Sequence, residues 1–258
     1  MLRMKNIRKI YRTELVETHA LEDFSLNVDA GEFVAIMGPS GSGKTTFLNV
    51  AGLLDVFEGG VYELDDKDVS KLSDREMSHI RNQKIGFIFQ SFNLIPDLDL
   101  FDNVDIPLRY RGMPAGERKS RIEKAAEVVG LSSRLHHLPS QMSGGQQQRV
   151  AIARVLAADP KLILADEPTG NLDSLMAREI MDLLDEINRR GTTIVMVTTL
   201  PGVRRARLAR DPSLRRPRDR RRTAAGTLRR RAEVGEVRRR CSSTTFASPS
   251  RASGAIRF

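Results

Sequence analysis

A glycine-rich segment at positions 38–45 has the residue types and the spacing of a phosphate-binding loop. Its sequence is Gly38-Pro39-Ser40-Gly41-Ser42-Gly43-Lys44-Thr45, which fits G-x-x-x-x-G-K-[ST] between a predicted strand and a predicted helix. Glycines let successive backbone N–H groups converge on phosphate oxygens, and the start of the helix adds a positive dipole end. Lys44 can reach the β- and γ-phosphates, and the Thr45 hydroxyl can bind Mg²⁺. With the adjoining Thr46, the segment predicts a nucleotide site; the alternative is a plain glycine-rich turn.

Two adjacent acids, Asp166 and Glu167, follow the apolar residues 162–165, which predict a buried strand. Asp166 can hold Mg²⁺, directly or through water, because this hard cation prefers oxygen ligands. Glu167 can polarise a water for in-line attack on a γ-phosphate. Paired acids at the end of a strand are usually only solvated. The phosphate loop nevertheless makes Glu167 the best candidate in the chain for the general base.

A second anion site is predicted at Ser143-Gly144-Gly145-Gln146, which opens another helix. Ser143 is a good N-cap, and the glycines leave backbone N–H groups accessible at a helix N-terminus that suits a phosphate. The alternative is an ordinary capped helix. Because the chain already has one phosphate loop, the second site fits the nucleotide of another subunit. This predicts a head-to-tail dimer with two nucleotides at its interface.

Alternating strands and helices must position these residues. Strands are predicted at 33–37, 85–89, 161–165 and 192–197, and helices at 45–51, 144–157 and 175–190, with further helical stretches between 101 and 130. This alternation is typical of an α/β fold in which helices cover the faces of a sheet.

The length of 258 residues suits one α/β domain with a sizeable core. The single cysteine, Cys241, excludes an intrachain disulfide and a cysteine metal cluster. No run approaches the ~18 apolar residues that span a bilayer, and residues 1–6 lack the apolar region of a signal peptide. The sequence therefore predicts a cytosolic protein, with any membrane contact made through a partner; a soluble protein with no membrane role is the alternative.

The net charge of +9 combines two different regions. Residues 200–258 contain 18 Arg, no Lys and 4 acids, for a net charge of +14, whereas the preceding 199 residues carry −5. The Arg-rich blocks show neither helical nor strand periodicity, and their like charges repel. We therefore predict an ordered domain at 1–199 and a disordered Arg-rich tail at 200–258.

Taken together, the motifs resemble the ATP-binding subunits of ABC transporters over residues 2–198. The elements that carry the resemblance are, in chain order, the phosphate loop, Gln90, Met142-Ser143-Gly144-Gly145-Gln146, Leu164-Ala165-Asp166-Glu167-Pro168 and Asn171-Leu172-Asp173. The Ser-Gly-Gly-Gln element separates this family from other P-loop proteins. The resemblance implies a P-loop NTPase core of ABC type with a helical subdomain at about 91–150 and an antiparallel β subdomain. It also implies ATP as the nucleotide and Mg²⁺ as the cofactor.

Further site roles follow from the resemblance. Tyr11 is similar to the aromatic residue that stacks on adenine, although a tyrosine at the edge of the core is the alternative. Gln90 is expected to contact Mg²⁺ and the attacking water, in a loop that touches the membrane subunit. Ser143 and Gly145 are expected to contact the γ-phosphate bound by the partner. Asp173 is expected in the loop that links the two sites of the dimer.

Segments 33–41, 87–94 and 165–173 resemble the macrolide-export and lipoprotein-release branch. Members of that branch couple ATP-driven dimer closure to a periplasmic apparatus. The implied partner is an integral-membrane permease, with the ATPase bound peripherally at the cytoplasmic face of the plasma (inner) membrane. Amino-acid importers share much of this sequence, so the cargo is left open.

The family pattern ends after Thr198. Family members have a histidine next, which bonds the γ-phosphate, but here the residue is Thr199, and all four histidines lie elsewhere. We interpret the tail as the product of a reading-frame shift near codon 199, because Arg, Ala, Pro, Gly and Ser dominate it. A genuine basic extension that binds nucleic acid or an anionic membrane is the alternative.

Three functions therefore compete. The first is a transport or mechanotransmission ATPase that acts on a membrane partner. The second is a nucleic-acid- or ribosome-associated ABC ATPase, against which the single ATPase unit and the few aromatic residues of the tail argue. The third is a product of a frameshifted gene that binds ATP but hydrolyses it poorly.

Overall fold

The computed structural model describes residues 1–13, 16–199 and the backbone of 207–209, all within a unit that spans Met1–Pro217. The described strands are β1 (Leu2–Arg12), β2 (Glu17–Val28), β3 (Phe33–Met37), β4 (Gly59–Leu64), β5 (Lys67–Asp68), β6 (Ile85–Ile88), β7 (Leu162–Asp166), β8 (Thr193–Thr198) and β9 (Arg207–Ala209). The described helices are α1 (Lys44–Ala51), α2 (Asp74–Lys84), α3 (Leu100–Tyr110), α4 (Ala115–Val128), α5 (Gly144–Ala157) and α6 (Ser174–Arg189), with 3-10 turns at Ser132–Arg134 and Pro139–Gln141.

A parallel sheet in the order β6-β7-β8-β3-β9 forms the centre of the domain. Successive residues of β3, β7 and β8 alternate between two apolar clusters, one on each face of the sheet. Burial on both faces explains why these strands are continuous apolar runs. The predicted strands and helices are all present, with ends that differ by no more than one residue, so the α/β prediction is confirmed.

An antiparallel sheet in the order β2-β1-β4-β5 packs with α1 over one face of the parallel sheet. Phe24, Tyr62 and Phe47 are fully or almost fully buried in the layer between the two sheets, and the rings of Phe24 and Phe47 lie 5.0 Å apart. This is the antiparallel β subdomain that the family resemblance implies. The sequence periodicity had not located its individual strands.

Helices α3, α4 and α5 pack together against the other face of the parallel sheet. They correspond to the helical subdomain. Helix α5 continues past position 150 to Ala157 and packs against this face of the sheet. Buried Asn103 in α3 fixes the segment that leads from β6 into these helices, because its side-chain amide donates to the carbonyls of Ile95, Leu98 and Asp99 and its oxygen accepts from the Ile95 N–H.

Within the part of the chain that is described, no helix has the length and apolar character needed to cross a membrane.

Three residues of the predicted tail, Arg207–Ala209, form β9 and pair with β3. The rest of the predicted tail lies outside the described residues.

Candidate functional site

The phosphate loop connects β3 to α1 through two glycines with left-handed backbone. Gly41 has φ of 76° and Gly43, the N-cap residue of α1, has φ of 91°. A Cβ on Gly43 would lie 2.4 Å from the carbonyl oxygen of Ala20. Both the torsion angle and the close backbone approach therefore require glycine at position 43.

Lys44 is 6% exposed, and its Nζ donates to the carbonyl oxygens of Gly38 and Pro39, at 2.9 Å each. The cation is thus held inside the curve of the loop. Ser42 is 2% exposed, and among the described residues no group forms a hydrogen bond with its Oγ. Because an unpaired buried hydroxyl is costly, the loop fits a ligand with oxygen acceptors, such as a nucleotide phosphate.

The predicted acids lie at the carboxyl end of β7, next to β8. The Glu167 N–H donates to the carbonyl of Val197 at 3.0 Å, and Glu167 has a positive φ of 43°. Burial raises the pKa of the Asp166 carboxyl, and the charge of Glu167 raises it further, whereas the charge of Lys44 lowers it. The charge of Lys44 thus acts on Asp166, and the strand order β7-β8-β3 puts the acids and the phosphate loop at the same edge of the parallel sheet.

The oxygen donors of Thr45, which is exposed, and Asp166 suit Mg²⁺. The described residues contain no group of three or more His, Cys, Asp or Glu side chains that could hold a metal by themselves. Mg²⁺ commonly takes one or two protein oxygens and completes its shell with phosphates and water. The donor set therefore fits a magnesium ion shared with a bound nucleotide.

Gln90 follows β6 and is paired with Asn171 in both directions. Its Nε2 donates to Asn171 Oδ1 at 3.0 Å, and Asn171 Nδ2 donates to the Gln90 carbonyl at 3.1 Å. A Cβ on Gly170 would lie 2.8 Å from Gln90 Nε2. Gln90, which is predicted to contact water and the metal, is thus bonded to the loop that begins at Glu167.

Thr199, at the position where the family pattern breaks, lies beside the predicted base. Its Oγ1 donates to Oε2 of Glu167 at 3.4 Å. The sequence identified Thr199 only as a departure from the family pattern. The structure shows that its hydroxyl contacts the carboxylate.

The 143–146 segment begins α5 with a capping box. Ser143 Oγ accepts from the Gln146 N–H at 3.4 Å, and the Ser143 N–H donates to Gln146 Oε1 at 3.1 Å. A Cβ on Gly145 would lie 2.7 Å from Sδ of Met176, so the backbone there is closely packed. Within the described ranges, no hydrogen bond joins 143–146 to the phosphate loop. The two predicted phosphate-binding elements are not bonded to each other within one chain.

Residues near this segment connect it to the loop that follows Glu167. Asp173 caps α6, since its Oδ1 accepts from the N–H groups of Leu175 and Met176. Gln148 in α5 is fully buried and donates to the carbonyl of Pro168 at 2.7 Å. Sequence reasoning missed Gln148, because nothing in the sequence distinguishes it from the other glutamines of α5.

Tyr11 on β1 is 40% exposed, and its hydroxyl donates to Asp55 Oδ2 at 2.8 Å. Burial raises the pKa of the tyrosine, the bond to Asp55 raises it further, and a hydrogen bond from the Thr46 side chain lowers it. Tyr11 and Thr46 are therefore neighbours beside α1. Asp55 was not identified from the sequence, because an acid in a loop after a helix carries no motif.

Comparison with known proteins gives consistent matches. The family described as ABC transporter matches residues 21–170. The uncharacterized ABC transporter ATP-binding protein YknY of Bacillus subtilis is 48% identical over 203 residues, which are 79% of this chain and 88% of that protein. The macrolide export ATP-binding/permease protein MacB of Chlorobaculum tepidum is 50% identical over 198 residues, 77% of this chain but 30% of that protein.

A solved structure also matches, that of the ATP-binding cassette MJ0796, a dimer in a post-hydrolysis state bound to ADP and Pi. The TM-score is 0.72 with 45% identity, and the match covers 79% of this chain and 90% of that one. The corresponding protein of Methanocaldococcus jannaschii is an ABC transporter ATP-binding protein that is 50% identical over 204 residues, 77% of this chain and 86% of that protein.

Proposed function

Since this chain belongs to the ABC transporter family and is an ATP-hydrolysing subunit of that kind, we propose that it powers an integral-membrane permease in export or lipoprotein release. The observation that carries the site assignment is a convergence at one edge of the parallel sheet. Lys44 follows β3, Gln90 follows β6, Glu167 follows β7 and Thr199 follows β8. The carboxyl ends of parallel strands are where open α/β sheets bind their ligands.

Each residue has a distinct task in the proposed reaction. Lys44 binds the β- and γ-phosphates from within the loop, where it is already desolvated. Glu167 accepts a proton from the water that attacks the γ-phosphate. Thr45, Gln90 and Asp166 would hold Mg²⁺, which would neutralise charge on the phosphates. Gln90 follows the neighbouring strand, β6, and orients this water.

The contacts around Glu167 support its role as the base. The backbone bond to Val197 and the bond from Thr199 restrict where the carboxylate can lie. A residue in the left-handed region costs free energy that the surroundings must offset, and such residues cluster at functional sites. Glu167 has this strain, with φ of 43°.

We further propose that two copies of the chain pack head to tail, so that Ser143, Gly144, Gly145 and Gln146 of one complete the nucleotide site of the other. The backbone N–H groups of Gly144 and Gly145 and the dipole at the start of α5 favour a phosphate, yet no described hydrogen bond connects this segment to the phosphate loop of its own chain. Asp173 would lie in the loop between the two sites. The dimer described for MJ0796 supports this arrangement.

The partner is proposed to be a permease in the plasma (inner) membrane, with this chain attached at the cytoplasmic face. MacB relatives are described as ATP-binding and permease proteins for macrolide export. Relatives of similar length to this chain are described as ATP-binding proteins alone. A separate permease subunit is therefore the partner we propose.

Lys44→Ala tests the nucleotide site. We expect its affinity for Mg-ATP in an equilibrium titration to fall about a hundredfold or more, because charge-assisted contacts worth ~1.5–3 kcal/mol each are lost. Lys119→Ala, which removes an exposed lysine of α4, serves as the matched control and should bind like the unmodified chain. An unchanged affinity in Lys44→Ala would contradict the assignment of the loop.

A further inference from the structure

A polar cluster of Lys9, Tyr11, Asp55 and Glu58 lies next to α1 and was not anticipated from the sequence. Its centre is the Asp55 carboxylate. Oδ1 of Asp55 accepts from Lys9 Nζ at 2.8 Å and from the Val56 N–H at 2.8 Å. Oδ2 accepts from the Tyr11 hydroxyl at 2.8 Å. Both oxygens are therefore bonded, and the orientation of the carboxylate is fixed.

The charge state of Asp55 suits this arrangement. Burial by itself would raise the pKa of the carboxyl, but the bonds from Lys9 and Tyr11 outweigh it and hold the pKa below its ordinary value. Asp55 is therefore ionised at neutral pH. An ionised carboxylate accepts hydrogen bonds more strongly than a neutral one, which strengthens its hold on the tyrosine hydroxyl.

Lys9 contacts the tyrosine ring itself. Its Nζ lies 4.9 Å from the centroid of the Tyr11 ring, within range of a cation–π interaction. Lys9 is 5% exposed, and Glu58 provides a second carboxylate at 3.8 Å. Glu58 also accepts from the Ile10 N–H at 2.9 Å. Lysine is rarely so buried unless it is paired, and here both partners hold it beneath the ring.

Tyr11 keeps exposed surface beside this contact. Lys9 is 5% exposed whereas Tyr11 is 40% exposed, so the cation covers only part of the tyrosine. Tyr11 pairs with Thr18 of β2, and the carbonyl of Ala20 on that strand lies against Gly43, so Tyr11 lies close to the start of α1. An exposed aromatic ring beside a phosphate site suits a flat base attached to the phosphates.

We propose that Asp55 and Lys9 are positioning residues for the nucleobase, because they fix the Tyr11 ring at the angle and distance at which a base on the bound triphosphate can stack. This inference rests on the proposed nucleotide site and goes beyond it by assigning two residues outside the family motifs. It requires that the effect of Asp55 be exerted through Tyr11.

The test compares the affinity for Mg-ATP with that for Mg-tripolyphosphate, which lacks the base and the ribose. Base–aromatic stacking is worth ~1–3 kcal/mol by alanine substitution, so Tyr11→Ala should lower the ratio of the two affinities about tenfold. Asp55→Ala should lower this ratio nearly as much. The double variant Tyr11→Ala/Asp55→Ala should be no worse than Tyr11→Ala alone, because groups that act as one unit are not additive.

Tyr11→Phe supplies a second variant that leaves the buried charges intact. It keeps the ring and removes the hydroxyl that bonds Asp55, so we expect the affinity ratio to fall about threefold. Glu63→Ala, which removes an acid from the same sheet, is the matched control and should leave the ratio unchanged.

Two failures can be told apart. If Lys44→Ala binds both ligands normally, the proposed nucleotide site is wrong. If Lys44→Ala loses both ligands while Asp55→Ala and Tyr11→Phe keep the ratio of the unmodified chain, the positioning role is wrong. Additive losses in the double variant would likewise overturn it.

Discussion

At the scale of single residues, the contact between Thr199 and Glu167 bears most directly on the rate of hydrolysis. The family resemblance implies a histidine at position 199 that bonds the γ-phosphate. The threonine found there donates to the Glu167 carboxylate at 3.4 Å. It can help to hold the base, but its side chain is too short to provide the reach of an imidazole.

We therefore predict that Thr199→His raises the rate of phosphate release about 10²–10³-fold, the usual effect of one contact made in the transition state. Thr199→Ala, the matched control, should reduce the rate a few fold because the bond to Glu167 is lost. The hydrolysis rates of both variants are measured as steady-state phosphate release with a membrane partner present. Equal rates with Thr, His and Ala at position 199 would show that this side chain does not affect ATP hydrolysis.

At the scale of elements, the turn between β4 and β5 is bonded to two later segments of the chain. Asp65 Oδ2 accepts from Lys84 Nζ at 2.6 Å and from Lys161 Nζ at 2.9 Å. Lys84 ends α2, and Lys161 immediately precedes β7. One carboxylate thus connects the antiparallel sheet to the strand that carries Asp166.

Asp65→Asn should lower the free energy of unfolding by about 1 kcal/mol at pH 7, as for a partly exposed ion pair. The bonds from Lys84 and then Lys161 hold the pKa of Asp65 below its ordinary value of ~3.9. Because the folded pKa is the lower one, this stabilisation is present above about pH 4 and is lost as the pH falls through the folded pKa.

Urea unfolding at pH 7, 5 and 3 checks this prediction. The difference between Asp65→Asn and the unmodified chain should shrink at pH 3. Asp66→Asn changes the next residue, which is more exposed and lies 3.7 Å from Arg3, and serves as the control. A difference that is the same at all three pH values would exclude the ion pairs as its cause.

At the scale of the whole molecule, the proposed dimer rests on two predicted phosphate-binding elements that share no described hydrogen bond within one chain. We predict that Glu167→Gln still binds ATP, that it hydrolyses it ~10²–10⁴-fold more slowly because the amide cannot accept a proton, and that it accumulates as an ATP-bound dimer. Gel filtration with light scattering, with and without Mg-ATP, gives the molecular mass of this variant and so distinguishes a monomer from a dimer.

The double variant Glu167→Gln/Ser143→Arg should remain monomeric, because a long side chain at the start of α5 blocks the phosphate of the partner. If Glu167→Gln binds ATP and yet stays monomeric, the head-to-tail arrangement is wrong for this chain.

The family, the α/β fold and the residues of the contiguous motifs can be recognised from the order of the amino acids. The phosphate loop, the acids after β7 and the capped start of α5 are each encoded within a few neighbouring residues. Their chemistry depends on local backbone geometry, such as the left-handed glycine at position 43, and local geometry follows from local sequence.

Contacts between residues that are far apart in the chain are seen only in the folded domain. Gln90 and Asn171 are 81 positions apart, Thr199 and Glu167 are 32 apart, and Tyr11 and Asp55 are 44 apart. Such contacts depend on the register of the strands and on how the two sheets and the helices pack. That packing results from many buried apolar contacts at once, so no single motif reveals that Asp55 bonds Tyr11 or that Thr199 bonds the base.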